Sequence, residues 1–108
     1  MPRASTTSDP FNAIAEPRRR EILEFIAFDE RSVSEIVEAL ELAQPSVSKH
    51  LIVLRDVKLV TARREGKRTM YRTNPETIRT IHEWSGMFAQ HWQGQLRRIK
   101  THAEKKKS

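Results

Sequence analysis

The sequence predicts a mainly α-helical fold carrying one small β-hairpin, with about five helices and a long C-terminal helix. Three stretches carry that prediction. The run Gln44-Pro45-Ser46-Val47-Ser48-Lys49-His50-Leu51 is amphipathic and follows a short helical segment after a tight turn. Two β-forming segments flank Glu65-Gly66-Lys67. From Ile78 to Ile99, large apolar side chains recur every three or four residues, the period of one helix face. Together these describe a helix-turn-helix with a basic wing.

The elements follow in order. Residues 1–8 are small and polar without periodicity and are expected to form a disordered tail. Asp9-Pro10 supplies an N-cap and a first-turn proline for a short helix through Phe11, Ile14 and Ala15. Pro17 opens a second helix whose stripe Ile22, Leu23 and Ile26 faces inward, closed by Phe28. Ser32 or Ser34 caps a third helix with Ile36, Val37 and Leu40 inside, and Glu41-Leu42-Ala43 makes the turn. The fourth helix places Val47, Leu51 and Leu54 at i, i+4 and i+7, so Gln44, Ser46, Ser48, Lys49 and Ile52 fall elsewhere on its surface. Residues 59–64 and 68–72 are the hairpin strands, with Gly66 free to take φ > 0. Asn74-Pro75 starts the last helix, with Ile78, Ile81, Trp84 or Ser85, Phe88, Trp92, Leu96 and Ile99 on its stripe. Two tryptophans and a phenylalanine exceed what so small a core takes up, so part of this face is expected to meet a second chain. One domain over residues 9–100 and a basic tail over 101–108 complete the organisation.

Composition narrows the function. Twenty Lys and Arg against 14 Asp and Glu give a net charge of +6 and a pI near 10.2, which suits a polyanionic partner. Lys105, Lys106 and Lys107 supply three of those charges, and +6 − 3 leaves +3 for the rest. With no cysteine there is no disulfide, thiolate ligand or thiol sensor. No apolar run is long enough to span a bilayer, and a cytoplasmic protein associated with the nucleoid is expected. The chain shows no Gly-rich phosphate loop and no carboxylate pair clustered with a histidine, so it does not read as an enzyme.

On these residues, above all Leu40 to Arg55 with Gln-Pro-Ser-Val-Ser-Lys-His-Leu at its centre and Glu65-Gly66-Lys67-Arg68 ahead of Tyr71, the chain resembles the ArsR-type (ArsR/SmtB) winged-helix repressors of bacteria. The resemblance spans about Asp9 to Ile99. It implies a homodimer whose first and last helices pair through Phe11, Ile14, Ile81, Trp84, Phe88, Trp92 and Leu96. It also implies repression at an inverted-repeat operator in double-stranded DNA, often the protein's own. Gln44, Ser46, Ser48 and Lys49, with His50 at their edge, are the implied major-groove residues. Gln44 suits adenine N6 and N7, and Lys49 suits guanine or a phosphate. Two positions depart from the family: Glu41 stands where Gly is common, and Ala43 where Ser or Thr is usual.

Arg63, Arg64, Lys67, Arg68 and Arg72 set five cations against Glu65 and read as wing contacts to phosphate. A solvated edge strand guarded against aggregation is the alternative. Arg18, Arg19 and Arg20 open a helix at its positive dipole end, either as phosphate contacts or as a solvated basic turn. Metal sensors of the family use cysteines, or an Asp and His set on the last helix. Here ten residues separate His91 from His102, with Ala89 where Asp belongs and Lys105 where Glu or His belongs, so neither a metal site nor a cofactor is expected. Other readings are a winged helix that contacts protein, or a sensor with an unidentified small-molecule or metal inducer.

Overall fold

The computed structural model describes residues 9–89, and its elements run α1 (Pro10–Ala13), α2 (Pro17–Phe25), β1 (Arg31–Ser32), α3 (Val33–Leu40), α4 (Gln44–Asp56), β2 (Val60–Glu65), β3 (Arg68–Thr73) and α5 (Pro75–Gly86). The chain divides into two units between Ile78 and Arg79. Five helices and a three-stranded antiparallel sheet in the order β1-β3-β2 match the predicted class.

Local chemistry places each start. The Asp9 carboxylate accepts from the Phe11 amide at 2.9 Å, and the Glu16 carboxylate accepts from Arg18 at 2.9 Å ahead of Pro17. Ser32, the first of the two predicted caps, forms a full capping box with Glu35: its hydroxyl accepts from the Glu35 amide while Glu35 accepts from the Ser32 amide at 2.8 Å. Ala43 caps α4 without any side-chain bond, as the lost hydroxyl requires. Asn74 accepts from the Glu76 amide at 3.1 Å to open α5.

The core of the first unit is one apolar cluster. Ile22 and Leu23 from α2, Ile26 at its end, Ile36 from α3 and Val47, Leu51 and Leu54 from α4 are buried, as are Leu59 and the strand residues Val60 and Met70. Truncating a side chain such as Leu51 to Ala costs about 2–5 kcal/mol at sites of this kind. Polar ties join the sheet to α2: the Thr73 amide donates to the Ile26 carbonyl at 3.1 Å, and its buried hydroxyl donates to the Leu23 carbonyl at 2.8 Å.

Four features differ from the expectations or add to them. Phe28 does not close the α2 stripe; the helix ends at Phe25, Ile26 caps it, and Phe28 is 85% exposed on the following loop. The short strand β1, pairing Arg31 with Tyr71 and Ser32 with Met70, gave no pattern because two residues cannot alternate visibly. The hairpin loop is two residues rather than three, since Glu65 pairs with Arg68; Gly66 takes φ 64° at the first central position, where a type II′ turn takes glycine. Finally, α5 ends at Gly86, where the Met87 and Phe88 amides bond to Trp84 and Ser85 in i→i−3 fashion. Its expected continuation through Trp92, Leu96 and Ile99 lies outside the described residues.

Two helices end on left-handed residues that are not glycine. Glu41 at φ 54° closes α3 while the Leu42 amide reaches the Val37 carbonyl, and Lys58 at φ 64° closes α4 while the Leu59 amide reaches Leu54 at 2.9 Å. Both are Schellman-type ends, where a Cβ is strained. Glu41 also puts negative charge at the negative end of α3. Glu41→Gly should therefore raise unfolding stability by about 0.5–1 kcal/mol, net of glycine's larger unfolded-state entropy. A denaturant midpoint unchanged or lowered at constant m-value would contradict the strain.

Candidate nucleic-acid interface

The α4 stripe Val47, Leu51 and Leu54 is buried, so the opposite side of the helix is turned outward. Gln44, Pro45, Lys49 and Ile52 are exposed there, and Ser46 and Ser48 are half-buried at its flanks. No hydrogen bond of the described residues engages the side chains of Gln44, Ser46, Ser48 or Lys49. They stand ready as donors and acceptors.

His50 differs from its neighbours. Its Nδ1 accepts from Arg19 Nε at 3.3 Å, which links α2 to α4. Burial pushes the imidazole below its usual value of 6.5, the Arg19 guanidinium pushes the same way, Glu16 opposes, and Lys49 lowers it further. The neutral ring is thus an internal acceptor, engaged by Arg19, unlike the side chains of Gln44, Ser46, Ser48 and Lys49.

The basic run at the start of α2 is also occupied. Arg18 bonds Glu21 at 3.1 Å one turn on, an exposed pair that contributes little. Arg19 Nη1 donates to the Ala13 carbonyl at 3.3 Å, and Arg20 Nη1 to the carbonyls of Ile14 at 2.7 Å and Ala15 at 3.3 Å. Two of the three arginines close the C-terminal end of α1, satisfying carbonyls its short helix leaves open. That duty was not legible in the charge pattern.

The wing cations divide by strand register. Arg63 opposite Met70, Glu65 opposite Arg68 and Thr61 opposite Arg72 share one face, whereas Arg64 opposite Thr69 lies on the other. Arg63 donates from Nε to both Glu30 oxygens at 2.8 and 2.9 Å and from Nη2 to Glu65 at 3.1 Å. Those hydrogen bonds hold the Glu30 carboxyl below the ordinary 4.5, against a smaller opposing effect of burial, and raise Arg63 in turn. Arg63 is therefore a strut between the α2–β1 loop and the wing. Arg64 reaches Thr69 and the Gly66 carbonyl at 3.4 Å, near the limit of a hydrogen bond. The Lys67, Arg68 and Arg72 side chains are exposed and donate to no described residue. Glu30, separated from Arg63 by 33 positions, had no sequence signal as its partner.

In the second unit, Trp84 (52% exposed) and Phe88 pack edge to face with ring centres 5.2 Å apart, and Met87 is 76% exposed beside them. Ile81 is half-buried. In the first unit, Phe11 is exposed and Ile14 half-buried. His91 and His102, like Trp92 and Leu96, lie outside the described residues. Among those described, no group of three His, Asp or Glu side chains is placed to hold a metal ion, and no helix is long and apolar enough to cross a membrane.

Comparison with known proteins adds the relatives. A family model described as "Bacterial regulatory protein, arsR family" matches residues 16–62. The chain is 46% identical over 66 residues to the "Probable mercury resistance operon repressor" of Streptomyces lividans, covering 61% of this chain and 53% of that protein, so it spans about half the length of that relative. An ArsR-like transcriptional regulator from Rhodococcus sp. RHA1 superposes with a TM-score of 0.69 at 26% identity, over 87% of this chain and 86% of that one. The homodimeric winged helix-turn-helix DNA-binding domain Mb0332 from Mycobacterium bovis superposes at 0.63 with 30% identity, over 83% and 91%.

The Arg19–His50 link gives a pH dependence. Because the folded imidazole titrates below 6.5, its stabilising effect is complete above about pH 6.5 and is lost as pH falls through the lowered folded value. His50→Gln keeps an acceptor that does not titrate. Between about pH 7.5 and about pH 5.5, the melting temperature should fall further for the parent chain than for the variant; parallel curves would show that His50 is not held neutral.

Proposed function

The chain belongs to the ArsR family of bacterial regulatory proteins, and from that footing we propose that it is a homodimeric transcriptional repressor that occupies an inverted-repeat operator, including one at its own promoter. The observation that carries this reading is the outward side of α4, polar and free of hydrogen bonds from Gln44 to Lys49, in the same unit as a wing with three exposed cations that donate to no described residue. A protein-docking surface would be depleted of charge at its centre. Polar groups without internal partners suit base edges in a major groove, and cations on a hairpin suit phosphates.

Gln44, Ser46, Ser48 and Lys49 read bases in this proposal. Lys67, Arg68 and Arg72 neutralise phosphates, Arg64 adds a weaker contact, and Arg63 holds the wing in place. Arg19 and His50 position α2 against α4 rather than touch DNA, while Arg18 pairs with Glu21 within α2. A two-fold dimer matches a two-fold operator, so the helices of the two copies enter successive turns of one groove. Phe11 and Ile14 from the first unit, and Ile81, Trp84 and Phe88 from the second, are the proposed dimer contacts, with Trp92 and Leu96 expected to extend them. The repressor acts in the cytoplasm on the nucleoid. With no cysteine in the chain, no thiolate can carry its control.

Selection of duplexes from a random pool by the purified protein tests the function, and two variants separate reading from charge. Lys49→Ala should weaken the selected duplex by about 1–3 kcal/mol and scrambled DNA far less. Arg68→Ala should weaken both alike and lower the slope of log K against log salt by about two, one phosphate in each half of the dimer. Equal effects of the two changes on both duplexes would remove the division of labour.

The dimer has its own check. Trp84→Glu buries a charge at the proposed contact, so sedimentation should show a folded monomer with weakened operator binding. A dimer as tight as the parent's would take Trp84 out of the interface.

A further inference from the structure

Ile52 is 63% exposed in the middle of α4, where an isoleucine gives the helix less than Lys, Arg or Glu would. A lone exposed isoleucine is ordinary on a protein surface. Its register gives this one meaning. Pro45, Ser48, Lys49 and Ile52 fall at i, i+3, i+4 and i+7, one stripe on the side opposite Val47, Leu51 and Leu54. Reading helices of homeodomain type touch base edges with that same spacing. Ile52 lies about 4.5 Å along the axis from Lys49, about one base-pair step further along the groove.

We infer that Ile52 is a specificity residue that packs on a thymine methyl group. In the major groove the thymine C5-methyl is the apolar feature of the base-pair edges, so an apolar side chain on a base-facing stripe has one chemical partner there. The surroundings bound the contact. Ile52, Arg55, Asp56 and Lys58 line an open depression of ≈ 440 Å³. Arg55 and Lys58 place cations beside the isoleucine, suited to the phosphates flanking that base pair. Asp56, one turn on, puts a carboxylate on the same side, and its repulsion of phosphate ends the contact stripe at Ile52. This assignment rests on the DNA-binding reading above.

The test uses the full chain, duplexes recovered by selection, and the same duplexes with single thymines replaced by deoxyuridine, which lacks only the methyl group. One symmetry-related thymine pair should prove sensitive, losing about fourfold affinity per half-site. Ile52→Ala, with an unchanged melting temperature because the residue is exposed, should bind the thymine and uracil duplexes equally. Parent protein indifferent to every uracil replacement would overturn the inference while leaving DNA binding intact. Sensitivity that persists unchanged in Ile52→Ala would overturn it as well. Recovery of no bound duplex would instead bring down the DNA-binding reading, and this inference with it.

Discussion

Val47, Leu51 and Leu54 decide where α4 lies and which side it shows. Buried where α4 packs on α2 and α3, they fix the rotation of the helix about its own axis, so every outward residue from Pro45 to Ile52 has its direction set by packing rather than by local preference. The helix needs that anchoring. Ala43 gives it no side-chain cap, and the turn before it is held by a left-handed glutamate. A side chain aimed at a base edge is useful only if its backbone is rigid, and here rigidity comes from the far face of the same helix.

The charged residues sort into two kinds once their partners are known. Arg19 and Arg20 close α1, Arg19 also steadies His50, and Arg63 braces the wing against Glu30. Each is bonded within the chain and holds an element in position. Lys49, Lys67, Arg68 and Arg72 make no such bond and carry the outward charge. The net basicity of the chain therefore overstates the number of cations free to meet a polyanion, and location matters more than the count. Glu30 has a second effect through the wing root: ionised over most of the pH range, it keeps Arg63 from competing for solvent or phosphate.

Much of the fold was written in local chemistry. Asp9-Pro10, Pro17, Ser32 and Asn74-Pro75 mark starts because caps and first-turn prolines act within three residues, and the apolar period of α4 names its inner face without reference to anything else. The outward residues of α4 were legible for the same reason. The misses all depend on distant partners or on single-residue backbone states. Arg19 with His50 and Arg63 with Glu30 join residues 31 and 33 apart, beyond any spacing rule. Phe28 looked like a core residue by period, but α2 had already ended at Phe25. Glu41 and Lys58 adopt conformations that the sequence would assign to glycine, so only the backbone reveals them. Strand β1 exists because β3 is there to pair with it.

In the proposed complex the outward side of α4 meets bases while the wing tip meets phosphates. Amide chemical shifts of the labelled protein, followed as a selected duplex is titrated in, test it directly. The largest changes should fall over Gln44–Ile52 and Gly66–Arg72, with the buried amides of Ile22 and Ile36 nearly still. Changes centred on Phe28 or on α5, with α4 silent, would contradict it.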